Sequence, residues 1–359
     1  MDERRQLYRG TRVLVIGAAL VIIVGGAYQS QSVLASFLVA VFLAVIGTQP
    51  VLWLERKRVP SVVAVLLVVS GMVTALLIIG AVVGASLNSF YSGLPLYQVR
   101  FQEQVSKFEA FLAVRGILGT EKILLGYVNP GVVMSLTARM FAELGMALSN
   151  IFLILLTVTF ILFEASGFPM KLRAVLGHSE QTFPQVTRFV DDIMRFMIIK
   201  TLISLATGIL VTIWLSLLGV DFPVLWGFLA FLLNYVPNVG SLIAGIPAVL
   251  LALIQFGAGY AALTAAGYMA INFTLDNLIE PRFMGRRLDL STLVVFLSLI
   301  FWGSLLGPIG MVLCIPFTMT LKFACESSDD TRWIALLLGR EPSAKGIPPG
   351  PNNAPDLGY

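Results

Sequence analysis

Charged residues are missing from this chain in long, sharply bounded blocks. No Asp, Glu, Lys or Arg occurs in residues 13–54, 61–86, 144–163, 201–220, 222–275 or 290–321. A helix rises about 1.5 Å per residue and the hydrocarbon core of a bilayer is about 30 Å thick, so about 20 apolar residues make one crossing. Block 13–54 is long enough for two helices, with the polar stretch "YQSQS" (28–32) as the turn between them. Blocks 61–86, 144–163 and 201–220 predict one helix each. The pattern excludes a transmembrane barrel, whose strands alternate apolar and polar residues.

Two blocks fit no whole number of crossings. Phe222–Leu275 runs for 54 residues, yet "NYVPNVGS" (234–241) lies inside it, with residues suited to a turn. The 32 residues of 290–321 hold a second interruption, "WGSLLGPIG" (302–310). Each is read as the break of a helical hairpin. Residues 222–256 dip in from the outside and return, 257–275 then crosses, and 290–321 dips in from the cytoplasm. Backbone released from a helix at membrane depth must be buried in protein or line a wet cavity, because lipid offers it no hydrogen bond. Broken helices entering from opposite faces are a mark of transporter sites. Two ordinary short helices with a surface turn remain the other reading.

Composition agrees: 57% of the 359 residues are hydrophobic, 12% are charged, and mean hydropathy is +0.89. A soluble domain carries about 25% charged residues. The net charge of +4 is no nucleic-acid signal, because nineteen of the 24 Lys and Arg fall in five segments that alternation puts on one side. These are the N-terminal tail, "ERKR" (55–58), 164–200, 276–289 and the tail from Lys322. The positive-inside rule makes that side, and both termini, cytoplasmic. Trp214 and Trp226 flank the short outer loop at Asp221, as an aromatic belt does. The four arginines before residue 13 resemble a signal peptide, but no small-residue cleavage site follows, so this is read as the first helix.

The expected fold is therefore all-α and polytopic, with about eight membrane helices or hairpin segments. Residues 1–86 hold the first three helices, and 87–143 an extracytoplasmic insert of amphipathic helices, packed on the outer face or on neighbouring subunits. Within the insert Phe101, Val105, Phe108 and Leu112 form one helical face. Residues 144–199 hold the fourth helix and a cytoplasmic amphipathic segment with the stripe Val186, Phe189, Val190, Ile193, Met194 and Met197. A surface helix leading into the fifth span explains that stripe. Residues 200–322 make a C-terminal core with the two hairpins. The tail 323–359 is cytoplasmic, and from about residue 340 too poor in apolar side chains to fold.

Catalytic chemistry finds little footing. There is no Walker A motif, paired-histidine metal site, Cys-x-x-Cys or Gly-x-Ser-x-Gly, and no cofactor, metal or enzymatic activity is expected. Cys314 and Cys325 have no ligand spacing, and His178 reads as a solvated loop histidine. The polar residues entering the apolar blocks are more informative. Asn272, Asp276 and Glu280 recur every four residues, with Asn277 beside them. They line a path between the hairpins, or the helix has emerged there and its carboxylates are solvated or paired with Arg282, Arg286 or Arg287. Lys200 opens the fifth span and is expected to snorkel to the interface, with an interior role as the alternative. At the first break Asn234, Tyr235, Pro237, Asn238, Gly240 and Ser241 are candidate pathway residues; at the second, Gly303, Ser304, Gly307, Pro308 and Gly310. Amide, hydroxyl and backbone groups suit a small neutral polar solute better than an ion. Antiport of a cation would need a protonatable carboxylate in the path; only Asp276, Glu280, Glu164 and Asp221, near the span ends, could serve, with Lys200 as a further candidate for ion coupling.

The stretches "KTLISLATG" (200–208), "GVDFPVLWGFLAFLLNYVPNVGS" (219–241), "EPRFMGRRLDLSTLVVFLSLIFWG" (280–303) and "LLGPIGMVLCIPFTM" (305–319) together resemble the autoinducer-2 exporter family of membrane proteins. The likeness is specific over 200–322; before that only span order and the insert agree. It implies a multi-pass protein of the bacterial inner membrane, a homo-oligomer, and a pentamer. It implies efflux of the quorum-sensing signal autoinducer-2, or sodium(lithium)/proton antiport as in other members. An oligomeric channel is a further alternative. The partners implied are membrane lipid, a small polar solute and further copies of the chain, with no nucleic acid.

Overall fold

The computed structural model describes residues 17–19, 21–114, 151–165, 167, 182–237, 240–284, 290–326 and 331–339. Among them there is no strand. The N-terminal arginines, residues 115–143 of the insert, residues 144–150, His178, Asn238, Arg286, Arg287 and the tail beyond residue 339 lie outside the described residues.

The first helices follow the charge pattern. Helices α1 (Gly17–Gln29) and α2 (Gln31–Arg56) meet at Ser30, inside the predicted polar turn. Helix α3 (Ser61–Val114) departs from expectation, because the third span and the first helix of the insert are one element of 54 residues. Nothing forces a break there. Pro95 is the only proline within, and polar residues on an emerging helix do not end it. Helix α4 (Ile151–Ala165) packs against α2 and α3. Alanines 40, 44 and 64 lie at this contact with Val158 and Leu162, small side chains letting the backbones approach closely.

The second half repeats this economy of elements. The cytoplasmic amphipathic stripe and the fifth span form one helix, α5 (Thr182–Leu218), of 37 residues. The stripe is at least half-buried from Val186 to Met197, while Asp191 and Arg195 are exposed. Beyond it, Leu202, Ile209, Ile213 and Leu217 leave an apolar face uncovered. Helices α6 (Pro223–Leu233) and α7 (Gly240–Phe256) pack on each other. Then come α8 (Ala258–Asn272), a π-helical segment (Phe273–Ile279) and α9 (Glu280–Met284). Helices α10 (Thr292–Leu306), α11 (Pro308–Val312) and α12 (Cys314–Glu326) form the second broken unit, and α13 (Arg332–Leu338) follows. Helix α12 runs back along α10, where the Thr318 and Ser298 hydroxyls hydrogen-bond at 2.7 Å. α2, α5 and the α3 segment Ser61–Phe90 are long and apolar enough to cross a bilayer.

The larger core gathers α3, α5, α6, α7 and α8 around Trp226, Leu215 and Leu251. The C-terminal half of α3 thus packs on α6 and α7 of its own chain. Tyr97 donates to Asp221 Oδ2 at 2.7 Å, and Gln255 Nε2 donates to the same oxygen. Asp221 precedes α6 and Gln255 lies in the last turn of α7, so one carboxylate joins both ends of the hairpin to α3. Trp226 Nε1 adds a bond of 3.0 Å to the Asp221 carbonyl.

Candidate functional site

Helix α5 carries a polar edge where it faces the first break. Lys200, Ser204 and Thr207 are buried, and Thr201 is half-buried. Thr201 and Thr207 return their hydroxyls to carbonyls one turn back, at Met197 and Ile203. That is the usual way a helix absorbs such groups. Two of these side chains also hold the break. Asn234 Nδ2 donates to Ser204 Oγ at 3.1 Å, and Tyr235 OH donates to Thr201 Oγ1 at 2.9 Å. Asn234 is 2% exposed. The Tyr235 ring meets Phe42 of α2 and Phe231 edge-on.

Both interruptions use glycine for close approach. A Cβ at Gly240 would collide with the Leu233 carbonyl oxygen, and one at Gly310 with that of Trp302. Gly307 stands between α10 and α11 at φ +68°, ψ −150°, a conformation open to glycine and strained for other residues. Pro308 then occupies the first helical position of α11. The first break meets the second broken unit: Val236 packs with Leu299 of α10 and Cys314 of α12, with Trp302 and Val312 against them.

Opposite the polar edge of α5 lies the four-residue repeat of α8. Lys200 Nζ sits 2.9 Å from Glu280 Oε2. Lys200 is 7% exposed, so the expectation that it snorkels to the interface is corrected: the half-buried Glu280 carboxylate holds its ammonium inside. Glu280 likewise pairs with Lys200, and Arg282 is exposed. One turn earlier, Asp276 Oδ1 and Asn272 Oδ1 are buried with no hydrogen-bond partner.

The π-helix explains how these groups stay aligned. In an α-helix four residues overshoot one turn by about 40°, so a four-residue repeat drifts around the axis. In the wider π turn, residues four apart stack more nearly, and such segments gather at functional sites. The amide of Glu280 bonds the Leu275 carbonyl, five residues back. Asn272, Asp276 and Glu280 therefore follow one side of the helix.

The other candidates fall differently. Gly303 and Gly310 are buried, Gly307, Pro237 and Ser241 half-buried. Ser304 is exposed and donates to the Phe301 carbonyl; Asn277 and Pro308 are exposed too. Asn238 lies outside the described residues. Thr201, Ser204, Thr264 and Tyr268 were not singled out from the sequence. The four-residue repeat, extended backward from Asn272, reaches Tyr268 and Thr264, and it could have found them.

Residues 18–329 match the family model of the AI-2E family transporters. The chain belongs to this family. The AI-2 transport protein TqsA of Escherichia coli (strain K12) is 39% identical over 329 residues, covering 92% of this chain and 96% of that protein. YhhT of the same organism is 34% identical over 330 residues, covering 92% and 95%. A relative in Haemophilus influenzae is 36% identical over 335 residues, covering 91% and 96%. As a family member the protein is a transporter.

Proposed function

We propose that the protein exports a small polar solute across the bacterial inner membrane, and that this solute is autoinducer-2. The observation carrying the reading is the set of buried polar atoms without partners on α8, beside two broken helices that touch. Buried polar groups are almost always hydrogen-bonded. A row of them left open beside broken helices suits a site that a solute fills in passing. The solute itself is suggested by the likeness to the AI-2 transport protein TqsA. In this reading the hairpins enter from opposite faces, both termini are cytoplasmic, and the protein works as a homopentamer. The apolar faces left uncovered on single helices, as on α5, then meet lipid or neighbouring copies.

Deleting the gene tests the proposal. The intracellular autoinducer-2 pool should rise in the deletion strain and fall on overexpression; an unchanged pool in both strains would reject it.

A second reading, sodium(lithium)/proton antiport, is favoured by one observation. Lys200 supplies one positive charge, Glu280 binds it directly, and Asp276 Oδ1 beside them is unpartnered. A carboxylate so placed suits binding of a proton or an alkali ion.

A further inference from the structure

Four buried side-chain polar atoms among the described residues have no hydrogen-bond partner: Thr264 Oγ1, Tyr268 OH, Asn272 Oδ1 and Asp276 Oδ1. They are consecutive members of one four-residue repeat on one helix. Leaving such an atom unpaired costs about 1–3 kcal/mol, and buried hydroxyls elsewhere in this protein avoid that cost. Thr207 and Thr318 return to carbonyls one turn back, Ser204 accepts from Asn234, and Ser298 bonds the Thr318 hydroxyl. Thr264 has the Tyr260 carbonyl one turn back but forms no bond to it, although the residue is 0% exposed. Tyr268 is 4% exposed, and its ring lies against α7 at Gly245, where a Cβ would press on it. The ring is fixed by packing, and its hydroxyl is left open.

We infer that Thr264, Tyr268 and Asn272 form a hydrogen-bonding track for a neutral, hydroxylated solute, leading along α8 from the charged group at Asp276. The inference rests on the proposed export and adds the residues and the solute class. Two hydroxyls that donate and accept, and an amide oxygen that accepts, replace water's hydrogen bonds to a polyol one for one. Among the described residues an anionic solute would find no free cation on α8, and Lys200 at the far end is engaged by Glu280. Successive groups are about 6 Å apart along the axis, so a polyol of about four carbons can touch two of them.

Tyr268→Phe and Thr264→Val keep the packed volume and remove only the hydroxyl. In proteoliposomes each should raise the KM for autoinducer-2 about five- to tenfold, the worth of one hydrogen bond, with the thermal midpoint unchanged or higher. A wild-type KM in both variants overturns the track. If the wild-type protein moves no autoinducer-2, the export reading falls and thiol labelling decides the track instead. Thr264→Cys and Tyr268→Cys are made in a Cys314→Ala, Cys325→Ala background and treated with 2-hydroxyethyl methanethiosulfonate. Thiolate forms only where water reaches. Modification about tenfold faster than at the exposed apolar position Leu263→Cys supports the track, and equal or slower modification overturns it.

Discussion

Lys200 and Glu280, eighty residues apart, meet in a 2.9 Å ion pair withdrawn from solvent between α5 and α9. Removing one member of a buried pair strands the other charge and costs about 3–5 kcal/mol, whereas replacing both with apolar residues is often neutral. Glu280→Gln is therefore expected to lower the thermal midpoint in detergent strongly. The double change Lys200→Met, Glu280→Leu should recover most of the loss without restoring transport. Midpoints of the three proteins, read beside uptake into vesicles, check both halves of the claim.

Asp276→Asn removes a charge that the described structure leaves without a hydrogen-bond partner at Oδ1. The thermal midpoint should stay the same or rise. Under the antiport reading, sodium-driven proton movement in everted vesicles disappears with it. A midpoint several degrees lower would mean that the carboxylate has a structural partner.

On α3, Tyr97 is held neutral by burial and by its bond to Asp221, so its hydroxyl titrates well above the ordinary tyrosine range. An unfolded tyrosine ionises near about pH 10. The stabilisation from Tyr97 is therefore complete below that pH and declines as pH rises from there toward the raised folded value. Tyr97→Phe should lower the thermal midpoint at pH 8 by the equivalent of about 1 kcal/mol. The gap between wild type and variant should narrow as the scan moves above pH 10. A constant gap across the scan would contradict this assignment.

Gly307→Ala places a Cβ on a backbone at φ +68°, ψ −150°. Strain of about 1–3 kcal/mol is expected. Gly259→Ala, at a helical position with open space around it, should be neutral or slightly stabilising and serves as the control. Thermal midpoints of the two variants distinguish a required bend from general sensitivity to added bulk.

The sequence made helix positions legible because absence of charge is a signal summed over many residues. The turn at Ser30, the breaks after Leu233 and Leu306, and the polar repeat running from Asn272 of α8 to Glu280 of α9 all lie where that pattern puts them. What it hid was continuity. Emergence from an apolar block changes side-chain polarity without stopping a helix, so α3 and α5 ran through expected boundaries. Lys200 was hidden for a different reason: a lysine at the head of a span looks the same whether it reaches water or a carboxylate eighty positions away. Thr264 and Tyr268 were passed over because both residue types are ordinary in apolar helices, and only their missing partners mark them.

Asp221 and Gln255 fasten the two roots of the first hairpin to α3, while Asn234 and Tyr235 rivet its tip to α5. A segment anchored at three points behaves as a stator. In the proposed export cycle the hairpin is then the fixed wall, and the open hydroxyls and amide oxygen of α8 are the groups left to exchange one solute hydrogen bond for the next.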